Sequence, residues 1–240
     1  MEVTGSVRAS LVQTRASEQC EVLRSAMHEP GFFTKFYRGH GKRALDLVIA
    51  SAALLVLGPF WLLLIVLVRV NLGQPVFFTQ ERGGFRGERF NVVKFRTMTD
   101  ARDTEGQLLP DRQRLTRTGN FLRSTSFDEL PEIINVLRGE MSLVGPRPFF
   151  SRYLDRYTAE QKRRHDVRPG ITGWAQVNGR NAITWEQKFD LDNWYVDHHS
   201  FWIDLKIVTL TVWKLIRREG IQEPGEATAR EFMGSVKDNL

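Results

Sequence analysis

Cysteine occurs once in the 240 residues, at Cys20. No internal disulfide can form, which excludes a disulfide-stapled secreted module and points to a reducing compartment. Histidine is equally sparse, five residues scattered along the chain, so the lone thiol has no partners at zinc-site spacing. No internal repeat or low-complexity tract is present, and the first 40 residues hold no apolar core of signal-peptide length: Arg8, Arg15, Glu18, Glu21 and Arg24 interrupt Val3 to Met27. The glycine-rich stretch Arg82-Gly-Gly-Phe-Arg-Gly87 has neither Walker nor Rossmann spacing. Acid is in deficit, 28 Asp and Glu against 34 Lys and Arg, for a net charge of +6. That excess suits nucleic acid, anionic lipid and phosphorylated substrates alike. With 42% apolar and 26% charged residues, the chain has a folding composition, which argues against disorder and against a multi-span protein.

What stands out instead is one long apolar run. Leu47 to Val68 is 22 residues without a charge. As a straight helix it would measure about 33 Å, enough to cross a hydrocarbon core of about 30 Å. Two features weigh against a plain span. Gly58-Pro59 falls at its midpoint, where proline removes a helical donor and glycine weakens the same turn. Both flanks are basic, with Lys35, Arg38, Lys42 and Arg43 before and Arg69, Arg82, Arg86 and Arg89 after, and basic flanks prefer the cytoplasmic side. A span and a re-entrant hairpin both accommodate the run; a helix-break-helix hairpin about Gly58 and Pro59, dipping into one leaflet, satisfies both flanks.

Beyond the run, Pro75 to Gln80 and Phe90 to Phe95 read as a small β-hairpin around the 82–87 loop. Asp100 to Gly119 reads as a surface loop with a helical turn. A short helix is expected over Asp128 to Arg138, with Asp128 as N-cap and Gly139 as stop. Tyr157 to His165 and Thr184 to Val196 read as helical. Phe201 to Ile216 is apolar but too short to span; Trp202, Trp213, Lys214, Arg217 and Arg218 suit an interfacial amphipathic helix, and an ordinary core helix fits the same pattern. The tail from Gln222 is polar. The class expected is α+β, mostly helical: a re-entrant membrane hairpin, interfacial amphipathic helices and a small β-hairpin. Its parts are an extension (1–40), the hairpin (41–72), a catalytic domain (73–218) and a tail (219–240).

The chemistry-bearing residues are few. Asp128 and Glu129 form a carboxylate pair at a helix start, where acidic residues also occur merely to complement the helix dipole. An ionised Asp128 is a nucleophile, and Glu129 beside it suits a divalent cation such as Mg²⁺. Pro146 and Pro148 preset the backbone around Arg147, whose planar fork matches phosphate. Pro169 to Gly173, Val177 to Arg180, and Lys94 to Thr97 are further basic or turn-rich stretches. His198-His199 lacks a partner at helical spacing and reads as a solvated pair.

Taken in order, Lys42-Arg43 and Asp46 before the broken apolar run, Pro75-Val-Phe-Phe-Thr-Gln80, Lys94-Phe-Arg-Thr-Met98, Asp128-Glu-Leu-Pro131, Asn135 to Ser142, Gly145-Pro-Arg-Pro148 and Pro169-Gly-Ile-Thr-Gly173 form one pattern. From about Lys42 to Leu215 this closely resembles the bacterial sugar transferase family, the monotopic phosphoglycosyl transferases, in the minimal form without the four-helix extension of longer members. The resemblance implies transfer of a phospho-sugar from a UDP-sugar to undecaprenyl (polyprenyl) phosphate with release of UMP, a first membrane step of exopolysaccharide, O-antigen or glycan assembly. It implies that Asp128 forms a covalent aspartyl-phosphosugar, that Glu129 is the Mg²⁺ ligand, and that Lys94, Arg147, Arg180 and Asp204 stand at positions associated with phosphate or nucleotide binding. It further implies a monotopic protein of the bacterial inner membrane with its catalytic domain on the cytoplasmic face; a homodimer is compatible with the apolar surface. A non-catalytic scaffold of a polysaccharide assembly system would explain the apolar run but leaves Asp128-Glu129 without a role. A nucleic-acid-binding protein would use the basic excess and leaves the apolar run unexplained, so no nucleic acid partner is expected.

Overall fold

The charge-free run lies inside one long helix. In the computed structural model, which describes residues 31–179, 183–217 and 231–234, helical backbone continues from Phe32 to Leu72. It starts as a turn, Phe32–Phe36, passes through a π-helical turn, Tyr37–Gly41, and continues as α1, Lys42–Leu72. Pro59 sits inside α1, so Gly58-Pro59 does not interrupt the helix into two separate elements. The lost donor is a local penalty of about 3 kcal/mol, and packing on both sides of the proline outweighs it. Asp46, Ala50, Trp61, Leu64 and Val68 are buried, with Ala53, Leu54, Leu57 and Phe60 filling in between them. Steps of three and four make these one stripe. Val48, Ile49, Leu55, Val56, Leu62, Leu63, Val66 and Val70 lie exposed around the rest of the helix.

The expected hairpin forms from β1, Phe77–Gly83, and β2, Arg89–Phe95, antiparallel in register from Phe77↔Phe95 to Gly83↔Arg89. Arg82 and Gly83 belong to the strand rather than to the loop. The 100–119 segment contains a helical turn, Asp111–Arg114, but Gly119 already lies in α2, Arg117–Ser124, capped by the Thr116 hydroxyl accepting from the Gly119 N–H at 2.9 Å. Leu122 of α2 joins Leu64, Val68 and Phe95 in one core cluster. In a second, α3, Glu132–Arg138, sets Ile133 and Val136 against Phe90 and Val92 of β2 and Ala50 and Trp61 of α1. Gly139, with φ +88°, ends α3 as expected.

Two short strands, β3, Ser142–Val144, and β4, Gly170–Thr172, pair in parallel, which sets the 145–148 and 169–173 segments side by side. The stretch 157–165 is broken: Thr158, extended, opens a capping box with Gln161 and begins a turn, Ala159–Lys162, before the 3-10 turn Arg163–Asp166. Then come α4, Trp174–Asn178, α5, Trp185–His198, and α6, Phe201–Arg217. A Thr184–Gln187 capping box starts α5. In α6 only Asp204 and Ile207 are buried, while Trp202, Leu205, Val212, Trp213 and Ile216 are exposed; this is not the pattern of a core helix. Of the tail, Phe232 is buried among Tyr153, Tyr157 and Phe189, and its carbonyl accepts from Arg156. The polar tail expected from Gln222 onward thus contributes an aromatic anchor. Residues 1–30, 180–182, 218–230 and 235–240 lie outside the described residues.

Candidate active site

The strand period of two places Lys94 on the same face of β2 as Phe90 and Val92, toward α3. The helix is stitched to the strand by Asn135, fully buried, whose Oδ1 accepts from the Val93 N–H at 3.0 Å and whose Nδ2 donates to the Asn91 carbonyl at 2.7 Å. In that register Lys94 Nζ lies 2.8 Å from Glu129 Oε1 and 3.0 Å from Glu132 Oε1. Arg147 arrives from the segment after β3 and donates to both oxygens of Glu129, one of them at 3.3 Å. Asp128 stands beside Glu129 in a 3-10 turn, Phe127–Glu129, entered through Ser126 in the left-handed region.

Asp128 is therefore not a helix cap. The Glu129 and Leu130 amides bond three residues back, to Ser126 and Phe127, and α3 begins only after Pro131. Its ionisation is set by its surroundings and not by a helix terminus. Burial and the neighbouring Glu129 charge push the Asp128 carboxyl up to about 6, against the pull of Lys94, Arg123 and Arg147. Burial works on Glu129 in the same direction, but the Arg147 guanidinium and the Lys94 ammonium outweigh it and hold that carboxyl well below the usual range. Burial raises Glu132. For Lys94 burial favours the neutral amine, and the charges of Glu129 and Glu132 more than reverse it.

Three members of the cluster were not singled out in the sequence. Glu132 stands three residues beyond Glu129, the one readable hint; its side chain is 2% exposed and its Oε2 has no partner. Arg82, across from Phe90 in the hairpin, lies over the Phe150 ring at 3.9 Å. Burial, then the Arg147 charge, lower its pKa to about 10. Arg123 of α2 donates to Thr97 Oγ1 at 3.0 Å and contributes to the field at Asp128. No local pattern announces these two.

Of the other expected site residues, Arg180 lies outside the described residues, and Gly58 and Pro59 lie within α1. Asp204 is not brought to Asp128. Its carboxylate accepts from Tyr37 Oη at 2.6 Å, Tyr195 Oη at 2.7 Å and Lys42 Nζ, a joint that ties the start of α1 to α5 and α6. His198 and His199 bond to backbone carbonyls of their own helix.

Chemically, the cluster sets the Asp128 carboxylate, of raised basicity, close to cations able to neutralise phosphate charge, the main requirement of phosphoryl transfer. Among the described residues no group of three or more His, Cys, Asp or Glu side chains is set to hold a metal ion. Mg²⁺ needs only one or two carboxylates plus substrate phosphates, and the unpartnered Glu132 Oε2 beside Glu129 fits that hard-oxygen chemistry. If the Asp128 carboxylate is the reacting group, its rate follows its ionised fraction. Steady-state rates should then be flat above about pH 7 and fall about tenfold by pH 5, given the value near 6; a rate that stays level down to pH 5 contradicts this.

The description of bacterial sugar transferases as a family matches residues 37–218 of the chain. The uncharacterized sugar transferase EpsL of Bacillus subtilis (strain 168) is 56% identical over 194 residues, covering 81% of this chain and 96% of its own. The UDP-glucose:undecaprenyl-phosphate glucose-1-phosphate transferase of Escherichia coli (strain K12) is 42% identical over 183 residues, 72% of this chain and 39% of its own. The undecaprenyl-phosphate glucose phosphotransferase of Komagataeibacter xylinus is 42% identical over 185 residues, 71% of this chain and 35% of its own. The chain thus spans well under half the length of the last two relatives. With most of its residues inside the family match and the cluster inside the same range, the chain belongs to the bacterial sugar transferase family and is a sugar-transferring enzyme.

Proposed function

We propose that the protein transfers a phospho-sugar from a UDP-sugar to undecaprenyl or another polyprenyl phosphate, in two displacements through Asp128. A carboxylate oxygen of Asp128 attacks the phosphorus that carries the sugar; the bond from that phosphorus to the bridging oxygen breaks, and UMP leaves with the electron pair. A phosphate oxygen of the polyprenyl acceptor then attacks the same phosphorus, expelling the Asp128 carboxylate and leaving a polyprenyl diphosphate sugar. The observation that carries this reading is Asp128 itself, half-buried beside Glu129 within the field of Lys94, Arg123 and Arg147. Lys94 and Arg147 neutralise the charge on the transferring phosphoryl group. Glu129, with Glu132 behind it, would hold a Mg²⁺ ion, which when bound adds positive charge against the donor diphosphate.

α1 supports a membrane seat. Lys42 and Arg43 at its start bind Asp204 and the Val136 carbonyl, and Arg96 donates to the Leu72 and Gln74 carbonyls at its end. Both ends of α1 are thus tied to the same body. A straight span would separate them by about 45 Å across the bilayer and draw the packed stripe into hydrocarbon. An α1 that enters one leaflet by its bare apolar side, bent at Pro59, with α6 at the interface, keeps the cluster on the cytoplasmic face where a soluble donor and a lipid acceptor both reach it.

The test omits the acceptor. The full-length protein is incubated with Mg²⁺ and, in turn, UDP-glucose, UDP-galactose and their N-acetyl forms, then weighed intact. A phosphosugar adduct mapping to Asp128 by peptide sequencing is expected with at least one donor. Brisk turnover with acceptor present and no adduct in its absence overturns the covalent route.

A further inference from the structure

Behind Arg147 the fold buries a second guanidinium. Arg164, in the turn Arg163–Asp166, is 2% exposed and pairs at 2.8 Å with Asp192 of α5, 1% exposed. Such a pair gives up the hydration of two charges, and apolar residues of the same size often stabilise a core as well or better. Its geometry supplies another reason for it. Arg164 Nη2 donates to the main-chain carbonyl of Arg147 at 2.5 Å. The guanidinium also lies over the Phe149 ring, 3.8 Å from its centroid. These contacts grip the chain on either side of Pro148. Asp192 Oδ2 pairs with that same Nη2, and Tyr157 Oη stands 3.4 Å from Nη1. A guanidinium holds these donors in one rigid plane that also stacks on the ring; an ammonium has no such plane to fix the chain by.

We infer that Arg164, oriented by Asp192, is a positioning residue: it fixes the main chain at Arg147 so that the Arg147 guanidinium meets Glu129 and the phosphoryl group beside Asp128. The inference rests on the transfer reaction proposed above, with Arg147 as a phosphate ligand. Among its described contacts Arg164 touches none of Asp128, Glu129 or Lys94, so its influence travels through the Arg147 backbone. Displacing a phosphate ligand by about 1 Å costs on the order of a hundredfold in rate.

The test is a mutant cycle on the full-length protein in detergent, following UMP release with undecaprenyl phosphate. The donor is whichever of UDP-glucose, UDP-galactose and their N-acetyl forms the wild type turns over fastest. R164K retains a charge for Asp192 but loses the fork. It is expected to melt within a few degrees of the wild type, with kcat lowered about ten- to hundredfold and KM for the donor little changed. On an R147M background, R164K should change kcat by less than about twofold, because the group it positions is gone. D192N, which keeps the volume and removes the charge, should repeat the pattern and replaces R164K if that variant does not fold. An equal fall in kcat on both backgrounds, or a wild-type kcat in R164K, overturns the inference. If R147M alone turns over like the wild type, the phosphate-binding reading of Arg147 fails instead.

Discussion

Asp128→Asn is expected to abolish sugar-phosphate transfer while leaving the fold intact. The amide has the shape of the carboxylate but is not a nucleophile under these conditions, so the covalent step has no attacking atom. The expected fall in kcat is at least about a thousandfold, about 4 kcal/mol of barrier. Stability should move the other way. Folding raises the Asp128 pKa, chiefly by burial and by the adjacent Glu129 charge. A carboxyl raised in this way lowers stability as pH rises from the ordinary carboxylate value to the folded one, and the cost is complete above about 6. The neutral amide removes that burden, so at pH 7.5 the variant should melt at or above the wild-type temperature. Transfer within tenfold of wild type, measured as UMP release on the same preparation, would falsify the assignment of Asp128 as nucleophile.

The second large effect concerns the backbone under Arg147. A methyl group on Gly170 would stand 2.0 Å from the Gly145 amide nitrogen, 2.5 Å from the Thr172 carbonyl oxygen and 2.7 Å from the Gly145 Cα. All three are main-chain atoms held by the β3–β4 pairing, in which the Gly145 N–H donates to Thr172 at 2.8 Å and the Gly170 N–H to Pro146 at 3.0 Å. They have nowhere to move without breaking those bonds. Gly170→Ala should therefore cost about 4 kcal/mol or more, a fall in melting temperature on the order of 10 °C for a chain of this size. Turnover should fall further than stability alone explains, because Arg147 lies two residues beyond Gly145. A variant melting within two or three degrees of wild type would show that the two segments are not interlocked as described.

That interlock shows what sequence reading misses. Gly145-Pro-Arg-Pro148 and Pro169-Gly-Ile-Thr-Gly173 read as separate stretches, the first with prolines that preset Arg147 and the second merely turn-rich. Their glycines answer to each other across the β3–β4 pair, which no local pattern reveals. Asn135 behaves similarly: its residue type is unremarkable in a helix, yet its amide sets the register of α3 on β2 and so brings Glu129 and Glu132 to Lys94. Asp204 read as a site carboxylate, and its oxygens turn out to be taken up by Tyr37, Tyr195 and Lys42. Pro59 read as a break because local propensity disfavours it, and the packed stripe of α1 carries the helix through.

By itself the sequence determined the elements whose signals are local: the hairpin around the glycine-rich loop, the helix from Thr184, the glycine that ends α3, and the apolar run that becomes α1. It also offered the candidates: Asp128-Glu129 and Arg147 from residue type and neighbours, Lys94 from a basic stretch and the family resemblance. Tertiary structure alone decided which of those charges meet. Lys94, Glu129 and Arg147 are far apart along the chain, and a Coulomb interaction depends on separation in space, which only the fold sets. Their distances are set by non-local backbone contacts at Asn135 and at the Gly145–Gly170 crossing. The raised carboxyl of Asp128 and the lowered one of Glu129 belong to that assembled environment, because burial and neighbouring charge exist only once the chain has folded.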